Sequence, residues 1–125
     1  MDTNYNVIIK WFENQCKKKY WSDYLASYGY EKIAIYGAGE LGRYLGMDLA
    51  GSTVEVVCYI DRNAERLGSV NETPVVTMDG FFQYDFSAEA IIVSVISADR
   101  EVLLDVLDRD VSMPVLSLRD MVYEM

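Results

Sequence analysis

The sequence predicts an α/β protein: a three-layer sandwich around a five-stranded parallel sheet in the order 3-2-1-4-5, preceded by an extra aromatic helix. Three observations predict it. Short apolar runs at 32–37, 54–60, 74–77, 90–96 and 114–118 alternate with helical patterns. The first run ends in a glycine-rich corner, Gly37-Ala38-Gly39-Glu40-Leu41-Gly42, which opens into a helix. The second ends in Asp61, 19 residues beyond Gly42.

The corner is G-x-G-x-x-G in the context that gives the motif meaning, between a buried strand and a helix, with an acid at the right distance. Gly37 permits a tight turn, Gly39 lets a phosphate approach the backbone, and Gly42 lets the helix pack close to the strand. The free N–H groups at the helix start favour an anion, aided by the macrodipole. The spacing therefore predicts a Rossmann-like unit that binds a nucleotide through Gly37, Ala38, Gly39, Glu40, Leu41 and Gly42. Asp61 has two readings that are compatible. It accepts hydrogen bonds from a ribose hydroxyl, or it caps the turn into the short helical stretch 64–67. Arg62 is placed to meet a 2′-phosphate, but Asp61 repels one, so NAD is favoured over NADP.

The 125 residues predict one Rossmann-like domain over 32–125, with 1–31 as a helical extension. Apolar residues make up 51% and charged residues 25%, as in ordinary globular chains. A net charge of −9 excludes the basic face that nucleic acid requires, and no apolar run approaches the ~20 residues that span a bilayer. No basic-then-apolar leader is visible at Met1-Asp2-Thr3-Asn4. The two cysteines, Cys16 and Cys58, make no disulfide framework and read as reduced thiols, so a cytoplasmic protein is expected. There is no histidine, which removes the commonest acid–base and transition-metal ligand. No metal site is expected. Tyr36 and Tyr59 are acid–base candidates by type alone, and no catalytic constellation is legible.

Along the chain, residues 5–28 repeat apolar side chains at three- and four-residue steps, the period of one helix face. Lys17, Lys18 and Lys19 interrupt it as a solvated face. Ser22 is positioned to cap a second short helix, and Gly29 to end it. The stripe, with Trp11, Phe12, Trp21 and Tyr24, either packs on the sheet or supplies a contact with a second copy or a neighbouring domain. Residues 40–50 form the next helix, with Leu41, Leu45 and Leu49 inward. Gly46 costs about 1 kcal/mol against alanine there, which places that face close to the sheet. Arg43 either reaches a phosphate or lies exposed.

Residues 68–73 read as loop, and Pro74 opens the third strand. Phe81, Phe82, Tyr84 and Phe86 read as a short helix and turn under the sheet edge. Ser97-Ala98-Asp99 begins a helix with Asp99 and Glu101 in its first turn and Val102, Leu103, Val106 and Leu107 inward. Pro114 opens the last strand, and 119–123 close the chain as a helix. Both prolines start strands at the two expected sheet edges, where proline is tolerated. Right-handed crossovers restrict the order.

At Ile35-Tyr36-Gly37-Ala38-Gly39-Glu40-Leu41-Gly42-Arg43, then Val57-Cys58-Tyr59-Ile60-Asp61-Arg62-Asn63 and Gly68, the chain resembles the small Rossmann modules of bacterial polysaccharide biosynthesis. These stand at the N-terminus of nucleoside-diphosphate-sugar dehydratases, epimerase-like proteins and sugar acyltransferases, and also accompany glycosyltransferases. The resemblance covers residues 32–118. It implies a module that holds NAD or a nucleotide-linked sugar such as a UDP-sugar. It also implies a neighbouring glycosyltransferase or acyltransferase domain as partner. The aromatic helix is an addition to that pattern, and a homodimer through it is expected. A structural or dimerisation module with a vestigial phosphate site is the alternative. A complete oxidoreductase is disfavoured, because its substrate domain is not in these residues.

Overall fold

The computed structural model describes residues 3–95 and 100–125. Helix α1 spans Asn4–Cys16, capped by Thr3, whose hydroxyl accepts from the Asn6 N–H at 3.2 Å. The helical segment 5–28 divides at the expected interruption: Lys18 takes a left-handed φ of 61°, and a second short helix, α2 (Trp21–Ser27), begins at an N-cap Tyr20. Ser22 lies inside α2 and does not cap it. The break lets both tryptophans turn inward. Trp11 and Trp21 are buried and meet edge to face at 5.6 Å. Gly29, at φ +85°, ends α2 as expected. Its N–H reaches the Ala26 carbonyl and that of Tyr30 reaches Leu25, the paired bonds of a left-handed helix stop.

Next come β1 (Lys32–Tyr36), α3 (Glu40–Leu49), β2 (Glu55–Ile60), the single turn α4 (Ala64–Leu67), β3 (Ser69–Val70), β4 (Thr73–Val76) and α5 (Met78–Gln83). Then follow β5 (Ala90–Val93), α6 (Arg100–Asp110), β6 (Val115–Ser117) and α7 (Leu118–Glu124). The sheet order is β3-β4-β2-β1-β5-β6. Without β3 this is the expected parallel order 3-2-1-4-5.

The addition is β3, in the stretch read as loop. Asn71 and Glu72 both hold positive φ, 48° and 70°, the two-residue turn that matches hairpin twist. Pro74 is therefore not at the edge. It faces Ser69 in the hairpin, while the flanking bond runs from the Val75 N–H to the Gly68 carbonyl. Pro74 thus takes the pair that requires no N–H from it.

Side chains divide the sheet into two packed faces. Ile33, Ile35, Tyr59, Val75, Ala90 and Ile92 meet α1, α2, α3, α4 and α7 on one. Ala34, Cys58, Ile60, Ile91 and Val93 meet α5 and α6 on the other. The register shifts between Ile33 and Ala34, whose partners are Val56 and Cys58. Val57 and Cys58 consequently share the second face. The aromatic N-terminal segment is thus one layer of the core, tied in by polar bonds. Asp48 of α3 accepts from Trp11 Nε1 at 2.6 Å and Gln15 Nε2 at 2.8 Å, and buried Asn14 donates from Nδ2 to the Val122 carbonyl at 2.8 Å.

Leu41, Leu45 and Leu49 are buried as expected. On α6, Leu107 is buried and Leu103 half-buried, but Val106 is 46% exposed and off the inner face. Ile96, Ser97, Ala98 and Asp99, and the side chain of Val102, lie outside the described residues.

Candidate functional site

β1 delivers the chain to Gly37, where φ is +103° and the N–H donates to the Ile60 carbonyl at 2.8 Å. The corner is therefore pinned to the C-terminal end of β2. A Cβ on Gly37 would stand 2.6 Å from Ser94 Oγ, and one on Gly42 would run into the Gly37 carbonyl. Both glycines are thus required by internal packing. Gly39 differs: among the described residues a Cβ there would meet nothing within 4 Å. Gly39 is the N-cap of α3, and among the described residues no side-chain hydrogen bond caps that end. The first N–H groups of a helix have no partner within it, so the Glu40 and Leu41 amides stand at an uncapped N-terminus.

Ala38 is buried, and its N–H donates to Asp61 Oδ2 at 3.0 Å. Asp61 Oδ1 accepts from the Asn63 N–H at 2.8 Å. The turn-capping reading of Asp61 is therefore correct, and the same carboxylate also clamps the glycine corner. Each carboxylate oxygen keeps a further lone pair. Gly37, Asp61 and Arg62 line one cavity of about 480 Å³, together with Tyr36, Ile60, Asn63, Val95 and Leu103. It lies beyond the carboxyl ends of β1 and β2, beside the reversal of strand order between β2-β1 and β1-β5, where open α/β sheets place ligands.

The other expected site residues divide by position. Leu41 turns its side chain into the core and offers only its backbone. Glu40 and Arg62 are exposed. Arg43 is exposed, and its Nε donates to the Gly39 carbonyl at 3.3 Å. Tyr59 is not available as an acid–base at this cavity. It is 2% exposed beneath α3, where a Cβ on Gly46 would strike its hydroxyl. Burial raises its pKa, opposed by the charge of Arg43. That contact is also the close approach expected at Gly46. Cys58 is buried, which pushes its thiol up to about 12.

Ser94 was not among the residues singled out from sequence. Nearly buried, its Oγ lies 2.9 Å from the Tyr36 carbonyl and 3.2 Å from that of Gly37. It locks β5 to the corner. The signal was available: a single hydroxyl inside the apolar run 90–96.

Sheet order, glycine corner and strand-end acid together define a Rossmann-like fold. The chain is similar in structure to a myo-inositol dehydrogenase from Corynebacterium glutamicum, with a TM-score of 0.51 and 23% identity. The likeness covers 70% of this chain and 27% of that one, so the chain spans about a quarter of that enzyme's length. It is a likeness of fold. No protein-family model matches the chain, and no curated protein matches it in sequence. Among the described residues, no helix is long and apolar enough to cross a membrane.

Proposed function

We propose that the chain is a small nucleotide-binding module that takes NAD or a nucleoside-diphosphate sugar. The pyrophosphate lies against the Gly39 to Gly42 backbone, and a ribose hydroxyl donates to Asp61. The observation that supports this most is Gly39. Among the described residues nothing within 4 Å of a Cβ at Gly39 requires a glycine there, and the residue is the N-cap of α3, where a side chain would compete with an anion for the first helical amides. Arg62 at the cavity wall faces the same ligand. The polysaccharide or cell-surface-sugar setting, the cytoplasmic location and a neighbouring glycosyltransferase or acyltransferase domain rest on the motif pattern at 35–43 and 57–63.

Calorimetry with NAD, UDP and a UDP-sugar tests the reading. One of them binds the wild type, and Gly39→Val weakens it at least tenfold while the melting temperature stays within a few degrees. Valine at an N-cap costs helix stability only about 1 kcal/mol. Binding unchanged by Gly39→Val removes the corner from the site.

A second reading, a dimerisation module with a vestigial phosphate corner, has its own support. Asp61 already occupies the Ala38 amide. Tyr5, Ile9 and Phe12 of α1 are exposed at 70%, 42% and 64%. A nucleotide-free protein that light scattering shows to be a dimer, dissociated by Phe12→Asp, favours it.

A further inference from the structure

The aromatic stretch after β4 is only partly used by the core. Phe81 is buried, while Phe82 and Tyr84 are 53% and 59% exposed. These residues precede β5, and 110–113 precede β6. The two segments therefore meet at the N-terminal end of the parallel strands, the opposite end from the glycine corner. Between them lies a cavity of about 510 Å³. Phe86 stacks on Phe81 at 6.1 Å and meets Tyr84 edge to face at 6.4 Å, so two rings stand at 70° to each other.

The charged side chains lining the cavity are Asp85 and Asp110; among the described residues no Lys or Arg lines it. Asp85 uses one oxygen, Oδ1, to hold the Ser87 N–H at 2.9 Å. Among the described residues its other oxygen accepts no such bond. Asp110 is the last residue of α6, where the macrodipole is negative. Aromatic faces, two carboxylates and a helix C-terminus all attract positive charge. A hard metal ion wants a shell of oxygen ligands, whereas ring faces suit a large, weakly hydrated cation.

We infer that this cavity binds a small quaternary ammonium molecule, its alkylated nitrogen against Tyr84, Phe82 and Phe86 and its charge facing Asp85 and Asp110. The volume is that of a small-molecule site, and the site is independent of the nucleotide corner.

The test uses choline and its uncharged isostere 3,3-dimethylbutan-1-ol, followed by amide NMR shifts of the full chain. Choline moves the amides of 82–88 and 111–113 with a millimolar-range dissociation constant, and the isostere binds at least tenfold more weakly. Phe82→Ala and Tyr84→Ala each weaken choline about two- to fivefold, and Asp110→Asn weakens it too. Both aromatic residues are exposed, so circular dichroism of these variants should match wild type. The inference is overturned by equal binding of the isostere, by no binding of choline, or by choline shifts that persist in the Phe82→Ala/Tyr84→Ala double variant. Binding confined to a trimethyl-lysine peptide, with choline inert, also overturns it and marks a protein-docking surface instead.

Discussion

Replacing Gly46 by alanine has an effect whose sign depends on a single oxygen atom. In an ordinary helix interior the change gains about 1 kcal/mol. Here the new methyl would strike the Tyr59 hydroxyl, and the next atom, the ring carbon bearing it, is 3.1 Å away. Tyr59 is 2% exposed between α3 and the sheet, so it has little room to retreat. Overpacking of this kind costs about 1–3 kcal/mol, which leaves Gly46→Ala destabilising by up to about 2 kcal/mol. Removing the hydroxyl first, with Tyr59→Phe, removes the collision. In that background the alanine is neutral or stabilising by up to about 1 kcal/mol, because the remaining ring carbon needs to yield only a few tenths of an ångström. The double-mutant cycle should therefore show a coupling of about 1–3 kcal/mol. Urea denaturation of the four proteins measures it. At about 4 °C per kcal/mol for a chain this long, melting curves check the order. Additive effects, with Gly46→Ala equally costly in both backgrounds, would refute the assigned contact.

Further outcomes follow from the site and the core. Asp61→Ala strips acceptors from the Ala38 and Asn63 amides and should cost about 1–3 kcal/mol of stability without any ligand, as read by urea denaturation. It should also weaken a bound nucleotide. Ser94→Ala should cost about 1 kcal/mol by removing the hydroxyl donor to the Gly37 carbonyl, while the Tyr36 carbonyl keeps the Ser94 N–H, and slow hydrogen exchange near Gly37 should be lost with it. With aromatic disulfide reagents at pH 8, native protein should expose Cys16 alone and unfolded protein both cysteines. The raised Cys58 pKa holds more protons in the native state than in the unfolded chain between 9.0 and about 12. Stability from this group is accordingly full below pH 9.0 and falls as pH rises towards about 12, in the sense that Cys58→Ala should flatten. Glu89 works the other way. Its carboxylate holds the Glu31 and Lys32 amides, which lowers its pKa below 4.5. Its contribution is present above pH 4.5 and lost on acidification, a loss that Glu89→Gln should remove from acid titration followed by circular dichroism.

What could be seen in the sequence was what local patterning controls. The glycine corner, the apolar runs and Asp61 each depend on neighbours within one strand–turn–helix unit, and those units stand where the spacing places them. Strand order followed because right-handed crossovers leave few alternatives. The double role of Asp61 was half visible: its turn with Asn63 is local, but its bond to Ala38 spans the gap between two strands. Ser94 escaped for the same reason, since its acceptors lie 57 and 58 residues away. The interruption at Lys17–Lys19 and a second short helix were visible, but the left-handed Lys18 and the Tyr20 N-cap were not, because neither residue type marks such a position. The break brings Trp11 and Trp21 edge to face, a contact between the two helices. The β3–β4 hairpin was hidden because Asn-Glu is not an Asn-Gly turn, and only pairing along the edge keeps Glu72 in its left-handed conformation.

One layer of the core is assembled from both ends of the described chain. Asn14 of α1 is satisfied by Val122 of α7, a contact across 108 residues. Contacts so distant in sequence form late, because the closure entropy of the intervening loop must be met first. During synthesis, Trp11 can meet Asp48 once α3 has emerged, but Asn14 and the α1 face that α7 covers wait for α7. For that interval the part of α1 that packs on α7 stays open, the kind of transiently exposed surface that makes a folding chain prone to association. The window closes when a carbonyl near the C-terminal end of this layer reaches a side-chain amide made more than a hundred residues earlier.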